Sequence, residues 1–444
     1  MVDRSGANTP KTPRFASAAL TTFGTRLLVA ALSFGSILVI ARSLGPAGRG
    51  DVALLTAIAT LSSQLAVLGV DEANVNLAGT DPARRPALAS NSVILALGFG
   101  ALAIGVLLPL FALFPALGGE TELSLQLVAL AAIPGLILQT YLTFLIRGQF
   151  GFAITNVSWL ASPAITFGGN LSLALIGRLT VTSAFTLWVL AHMATVLLLL
   201  WYVGRRSSGF GRPDLALARR SLGFGLRSHI GRVMMSGNYR ADQWFVGAIA
   251  GSRELGLYSI AVAGAEVLFY VPTVLVLVQR PFLVRSDRPE ARRLAAKGFR
   301  TGLVLTAPLV ILGVAFAPFL IKTVFGSEFE GAVDDLRILL IGVFGLLALQ
   351  QLGNALTAQG RPGLWASAAA VTFALTVALD IILIPPYGGV GAAIASRVAY
   401  AVGGVVAIVF FVRFFGGPAS ALIPRLSEVP EYGRTLVRAV RRRR

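Results

Sequence analysis

The chain has 444 residues, of which 55% are hydrophobic and 13% are charged, and its mean hydropathy is +0.77. Soluble domains carry about 25% charged residues, so this composition indicates a polytopic membrane protein. Cysteine is absent, and histidine occurs only as His192 and His229. These counts exclude a disulfide framework, thiolate catalysis and metal centres built from Cys or His.

Hydropathy predicts an all-α fold with twelve transmembrane helices. A hydrocarbon core about 30 Å thick requires roughly 20 apolar residues for each crossing. Segments of that length lie at 18–42, 50–70, 88–117, 123–146, 151–176, 181–203, 224–250, 255–284, 301–325, 336–358, 364–385 and 389–415. The segment 224–250 is the least apolar of them. The polar N-terminus lacks an apolar region ahead of a cleavage site, so we expect no cleavable signal peptide.

Charge in the loops predicts the orientation. Alternate loops carry Arg84 and Arg85, the arginines of 205–220, the basic residues of 285–300 and a tail that ends in "RRRR", whereas "GGETEL" and "GSEFEGAVDD" are acidic. By the positive-inside rule, we expect both termini to be cytoplasmic. The same rule accounts for the net charge of +18 without a nucleic-acid partner. We expect the tail to lie on anionic headgroups, at about 1 kcal/mol per charge.

The two halves of the chain resemble each other. "RLLVAALSFGSILVIARSLGPAGRG" aligns with "RVMMSGNYRADQWFVGAIAGSRELG", which pairs Arg26 with Arg232, Gly45 with Gly251 and Gly50 with Gly256. Six helices per repeat predict two lobes related by an axis along the membrane normal, a plan that transporters use with the substrate between the lobes. The predicted divisions are a cytoplasmic segment 1–17, an N-lobe 18–203, a linker 204–223, a C-lobe 224–415 and a basic tail 416–444.

The segment "SHIGRVMMSGNYRADQWFVGAIAG", residues 228–251, carries unusual polarity for a membrane helix. At 100° per residue, most of its polar side chains fall on one arc of about 160°, with Asn238 as the exception. The residues on this arc are His229, Arg232, Ser236, Tyr239, Arg240, Asp242 and Gln243. We therefore expect one face of this helix to line a water-filled space.

Charged residues inside the spans require such a space. Each one costs about 2.5–3.5 kcal/mol at mid-membrane, so seven facing lipid would cost roughly 20 kcal/mol. The seven are Arg26, Arg232, Arg240, Asp242, Glu266, Asp380 and Arg397. Two structural alternatives remain open, namely ion pairs between helices, such as Asp380 with Arg397, and snorkelling of Arg26 and Arg232 to the interface. An Arg240–Asp242 pair within one helix is disfavoured, because positions i and i+2 diverge.

Three stretches of the sequence resemble one family of transporters. They are "NYRADQWFVGAIAGSRELGLYSIAVAGAEVLFYVPTVLVLVQRPFL", "LGPAGRGDVALLTAIATLSSQLAVLGV" and "LGNALTAQGRPG". Together they resemble the Wzx-type polysaccharide flippases of the multidrug/oligosaccharidyl-lipid/polysaccharide exporter superfamily. The resemblance implies two six-helix lobes in a bacterial inner membrane and alternating access. It also implies a substrate of undecaprenyl-pyrophosphate-linked oligosaccharide, with glycan polymerase machinery as a further partner. It implies a transporter rather than an enzyme, and no cofactor.

Under this hypothesis a cationic cavity receives the anionic headgroup. Arginine suits a pyrophosphate, because its planar fork donates two parallel hydrogen bonds. We assign headgroup contacts to Arg26, Arg232 and Arg240, and sugar contacts to a polar set that comprises Asn238, Tyr239, Gln243, Gln350 and Gln351. Coupling to a proton or sodium gradient, as in an antiporter, is assigned to Asp242, Glu266 and His229. His192 stands alone on an apolar span, which favours a structural role.

Two other functions remain as alternatives. A cation-coupled multidrug exporter would need a less cationic cavity than the arginines predict. A membrane glycan polymerase or ligase usually carries catalytic Arg, His or acidic residues on a large outer loop, whereas the longest outer connection here, "KTVFGSEFEGAVDD", contains one cation and no histidine.

Overall fold

The computed structural model describes residues 15–424, with side chains from residue 21 onward except those of 227, 228 and 230. Eleven α-helices occupy most of this range, and it contains no β-strand. They are α1 Phe15–Ala66, α2 Val70–Thr80, α3 Arg85–Leu113, α4 Leu123–Gly148, α5 Phe152–Leu175, α6 Val181–Arg206, α7 Leu215–Ile249, α8 Ser252–Arg285, α9 Arg288–Val324, α10 Ala332–Ala358 and α11 Pro362–Phe415. The predicted tail is described only as far as residue 424.

Two of these helices each contain two of the predicted spans. Helix α1 is interrupted at Gly45 (φ 66°) and α11 at Gly388 (φ 54°), where a positive φ that favours glycine breaks the helix. With both breaks counted, each of the twelve predicted spans falls on a helix. The third span was drawn too long, because α3 ends at Leu113 and a short 3₁₀ turn follows. The all-α prediction is confirmed.

The chain is a multi-pass membrane protein. Within residues 15–424, seven helical segments are long and apolar enough to cross a bilayer, and two of them, Thr21–Ala66 and Pro362–Phe415, are 46 and 54 residues long. Large apolar side chains remain exposed along the outer helices. On α3 and α9 these include Leu97, Leu102, Val106, Ile311, Leu312 and Phe316. Lipid is the solvent that such surfaces require.

The helices form two lobes of six spans. In the first lobe, α1 packs on α5 and α4 on α3, α2 and α6, and in the second, α10 packs on α8, α9 and α11. The lobes meet where α1 and α2 contact α7 and α8. One end of the bundle, here called the basic end, carries the loops around Arg84 and residues 207–214. The other, here called the acidic end, carries Glu120 and Glu328.

The predicted repeat is visible in the contact between the lobes at the acidic end. A Cβ on Gly50 would lie 1.7 Å from the backbone oxygen of Ser252, and one on Gly256 would lie 1.8 Å from that of Pro46. These four positions are related by the same offset that aligns the two halves. Only glycine permits this approach, so the paired glycines mark a pseudo-twofold contact.

Candidate functional site

An ion pair joins the lobes at the basic end. Arg232 on α7 donates to both oxygens of Asp71 on α2, at 2.5 and 2.8 Å, and to Glu72 at 3.1 Å. The Asp71 side chain is only 2% exposed, whereas that of Arg232 is 33% exposed. The two-pronged geometry is the stronger form of a carboxylate–guanidinium contact.

Further contacts close the same end. The His229 ring, one turn before Arg232, places Nε2 3.1 Å from the backbone oxygen of Leu65. Next to it, a Cβ on Gly69 would lie 2.2 Å from the backbone oxygen of Gly225. These residues therefore hold α7 against the first lobe, and in this state Arg232 and His229 are committed to protein contacts.

Arg240 and Tyr239 have partners within the second lobe. The Arg240 guanidinium lies 3.2 Å from Glu266 on α8, and both side chains are more than 30% exposed. Gln350 donates to the hydroxyl of Tyr239 at 2.7 Å. Arg240 and Glu266 are therefore accessible to a ligand, whereas Tyr239 and Gln350 are only partly exposed.

Three other members of the predicted sugar-binding set are buried. Asn238 is fully buried and donates to the backbone oxygens of Met234 and Ala369. Gln351 is 1% exposed and donates to the backbone oxygen of Pro272. Gln243 is also buried. The predicted polar arc therefore faces water only in part, because its members Asp242 and Gln243 are buried.

A pair of carboxylates lies buried inside the second lobe. Asp242, 3% exposed, accepts hydrogen bonds from Tyr258 at 2.5 Å, from its neighbour's backbone N–H at 2.7 Å and from Ser396 at 3.4 Å. Asp380 is fully buried, and neither carboxylate oxygen has a hydrogen-bond partner among the described residues. The charges of both aspartates act on Tyr258, so they share one neighbourhood.

Of the seven charged residues predicted within the spans, Arg26 and Arg397 have no carboxylate partner among the described residues. Arg397 is exposed and forms no described pair with Asp380, so that alternative is not realised here. Arg26 is also exposed, and its guanidinium carbon lies 3.8 Å from the ring centroid of Trp159 on α5. Arg147, at the end of α4, lies 4.2 Å from the same ring.

Sequence reasoning missed several of these partners. Asp71 and Glu72 lie directly after the predicted second span, and the pair of acids at the end of that span was the available signal. Arg147 and Trp159 each lie in or beside a predicted span, but nothing in their spacing connects them with Arg26. His192, expected to be structural, places Nδ1 2.8 Å from the side-chain oxygen of Gln139.

Sequence comparison decides the family. The family described as "Polysaccharide biosynthesis protein" matches residues 39–334, which is more than half of the chain. The chain belongs to this family. The predicted family resemblance is thereby confirmed.

Two curated relatives of this family member match parts of it. A "Probable low-salt glycan biosynthesis flippase Agl15" of Haloferax volcanii is 26% identical over 48% of the chain, and a "Putative O-antigen transporter" of Shigella flexneri is 22% identical over 62%. The matches span 46% and 66% of those relatives, respectively. Both relatives carry transport names, so a membrane transporter of polysaccharide biosynthesis is the class that the comparisons support.

Solved structures of low identity share the fold. An inward-facing multidrug resistance MATE family transporter of the MOP superfamily superposes with a TM-score of 0.72, at 15% identity over 89% of this chain and 98% of that one. The lipid II flippase MurJ in an inward closed conformation gives 0.71, at 15% identity over 92% and 89%. The arrangement of two lobes is therefore that of this superfamily.

Proposed function

We propose that this protein moves an undecaprenyl-pyrophosphate-linked oligosaccharide from the inner to the outer leaflet of a bacterial cytoplasmic membrane by alternating access. The basic end is then the cytoplasmic face. The observation that carries the proposal is the set of arginines Arg26, Arg232 and Arg240 on the helices that meet between the lobes. Membership of the polysaccharide-biosynthesis family and the transport names of two relatives support the substrate class.

The contact between Arg232 and Asp71 supports alternating access. It connects opposite lobes at the cytoplasmic end, while Gly50 and Gly256 bring the same lobes together at the other end. A substrate can enter between the lobes only after one of these contacts separates. Separation also releases the guanidinium of Arg232, which then becomes available to an anionic headgroup together with Arg26 and Arg240.

Coupling to a proton or sodium ion is supported by the buried aspartates. A buried carboxylate without a counter-charge costs several kcal/mol, so two in one neighbourhood favour a bound proton or monovalent cation. Asp380 offers two oxygens without a described partner, and Asp242 lies nearby on α7, the helix that also carries Arg232. Occupation of this pair can therefore be transmitted along α7 to the contact between the lobes. Glu266 and His229 remain secondary candidates for coupling.

The test of the flippase proposal is leaflet transfer in reconstituted vesicles. Fluorescent undecaprenyl-pyrophosphate oligosaccharide is placed in one leaflet, and its appearance in the other is measured with and without ion gradients. We expect transfer above that of empty vesicles and a large loss with Arg26→Glu. An exposed control, Arg206→Glu, keeps the wild-type rate. Absence of transfer by folded protein under every gradient would refute the proposal.

The test of coupling uses ligand-dependent stability. If sodium binds the Asp242–Asp380 pair, sodium at 100 times its Kd raises the free energy of unfolding by about 2.7 kcal/mol. Asp380→Asn removes this sodium response, whereas Asp334→Asn, whose parent side chain is 73% exposed, keeps it. A wild type that responds to neither sodium nor protons would argue against this site. Fully gradient-dependent transport by Glu266→Gln would remove Glu266 as a required coupling group.

A further inference from the structure

A cavity of about 370 Å³ lies inside the first lobe, between α1, α4, α5 and α6, and no residue of the second lobe lines it. Ligand pockets range over roughly 300–1,000 Å³, so its size fits a small saccharide. The polar groups and aromatic rings on its wall include Ser33, Gln139, Trp159, Trp188 and His192. None of these residues takes part in the contact between the lobes described above.

The wall of the cavity has the chemistry of a sugar site. The His192 ring lies 4.5 Å from the ring of Trp188, and its Nδ1 lies 2.8 Å from the side-chain oxygen of Gln139. The partly exposed indole of Trp188 can accept the apolar face of a sugar ring, and the serine hydroxyl, amide and imidazole groups can bind its hydroxyls. An apolar wall with few fixed polar groups is the usual composition of a small-molecule site.

Arg49 provides a second, independent indication of a ligand. This arginine is 8% exposed and lines the same cavity, and its Nε has no hydrogen-bond partner among the described residues. A buried donor of this kind is expensive unless an acceptor meets it. A hydroxyl or carboxylate oxygen of a bound saccharide would supply that acceptor.

Two guanidinium groups lie at the end of the cavity nearest the basic end. The guanidinium carbons of Arg26 and Arg147 lie 3.8 and 4.2 Å from the ring centroid of Trp159, which lines the cavity. The distance between the two carbons therefore cannot exceed the sum of these two distances. Arg26 precedes Ser33 by seven residues on α1, a rise of about 10 Å. The two like charges repel each other, and no described carboxylate pairs with either.

We propose that the first lobe binds the proximal part of the substrate, with Arg26 and Arg147 on the pyrophosphate and the adjoining sugar inside the cavity. The inference rests on the proposed function and assigns it a site. Trp159 is the positioning residue, because its ring holds both guanidinium groups in cation–π contact. A diphosphate can place one phosphate group against each of the two neighbouring guanidinium groups, whereas a monophosphate has only one phosphate group to offer.

Binding measurements on the purified full chain test the site with three probes. These are a short-chain polyprenyl pyrophosphate, the same lipid carrying one sugar, and the corresponding polyprenyl monophosphate. Arg26→Gln and Arg147→Gln each weaken binding of both pyrophosphate probes at least about tenfold. Arg206→Gln, an exposed arginine of the same lobe, serves as the matched control and leaves all affinities within about twofold. Arg147→Lys gives an intermediate loss, because it keeps the charge without the fork.

A cavity-filling variant separates the sugar from the headgroup. Ser33→Phe keeps the affinity for the plain pyrophosphate lipid and abolishes the gain that the added sugar gives to wild type. Ser162→Leu, on another wall of the cavity, provides the same test if Ser33→Phe does not fold. If a folded cavity-filling variant showed the same increase in affinity on addition of the sugar as wild type, the sugar would not bind in this cavity.

The outcomes distinguish this inference from the proposed function. If wild type transfers lipid-linked oligosaccharide between leaflets while both arginine variants bind like Arg206→Gln, the site is wrong and the function stands. If the variants lose pyrophosphate binding but wild type transfers no glycan lipid, the site stands and the flippase proposal fails. Equal affinity of wild type for the monophosphate and pyrophosphate lipids would refute the binding of one phosphate group by each of Arg26 and Arg147.

Discussion

Tyr258 donates its hydroxyl to Asp242 in the interior of the second lobe, over 2.5 Å. Both side chains are buried, and no described cation forms an ion pair with this aspartate. The hydroxyl is therefore the principal side-chain donor to this carboxylate, since the Ser396 contact is longer at 3.4 Å. A buried carboxylate depends strongly on such a donor, because the loss of one partner leaves the other without solvation.

Removal of that hydroxyl should destabilise the folded protein. We expect Tyr258→Phe to lower the free energy of unfolding by about 1–3 kcal/mol, because an acceptor of Asp242 is left unsatisfied. Tyr387→Phe is the matched control, since Tyr387 is 59% exposed. Unfolding in detergent provides the measurement. Equal stability of the two variants would show that the hydrogen bond contributes nothing.

Helix α7 shows what sequence could and could not predict at the scale of an element. Hydropathy predicts its span at 224–250, although this is the least apolar of the twelve segments, and the glycine pairs of the repeat lie on α1 and at the start of α8 rather than on α7. The burial of Asp242 was not predictable from sequence. The angle of a side chain around a helix does not tell whether that side chain faces a water-filled cavity or a neighbouring helix. The partner of Arg232 lies 161 residues earlier in sequence, so only the packed structure identifies it.

The α2–α7 contact should control access from the basic end. We expect Asp71→Asn to weaken the contact by about 1.5–3 kcal/mol, because it removes the charge from a two-pronged pair. Glu72→Gln is the matched control with a smaller effect, since that side chain is 43% exposed and makes a single contact. Both changes are made in a chain that has no native cysteine.

Labelling of one introduced cysteine measures the opening. Ser236→Cys places a thiol one turn beyond Arg232 on α7, and its reaction with a water-borne reagent from the basic end is followed over time. Asp71→Asn should increase the labelling rate severalfold, whereas Glu72→Gln should change it less. The same rate in both backgrounds would contradict a gating role for the Arg232–Asp71 pair.

At the scale of the whole molecule, the two lobes meet through equivalent residues. Gly50 approaches Ser252, and Gly256 approaches Pro46, so a single pseudo-twofold contact joins the lobes near the acidic end. Nearby, Arg42 of the first lobe donates to the backbone oxygens of Thr323 and Val324 in the second. A larger residue at either glycine would increase the same distance between α1 and α8. The effects of substitutions at the two glycines on stability should therefore depend on each other.

Substitution of both glycines should therefore be less harmful than the sum of the single changes. We expect Gly50→Ala and Gly256→Ala each to lower the free energy of unfolding by about 1–3 kcal/mol, because each methyl group meets backbone rather than a movable side chain. Once the first methyl group has separated the lobes, the second methyl group can be accommodated without a further clash. A double-mutant cycle should therefore give a favourable coupling free energy between the two substitutions of about 0.5 kcal/mol or more. Gly98→Ala, with nothing within 4 Å of the added Cβ, is the control. Strict additivity, or a large effect on only one side, would mean that the two halves do not share this contact.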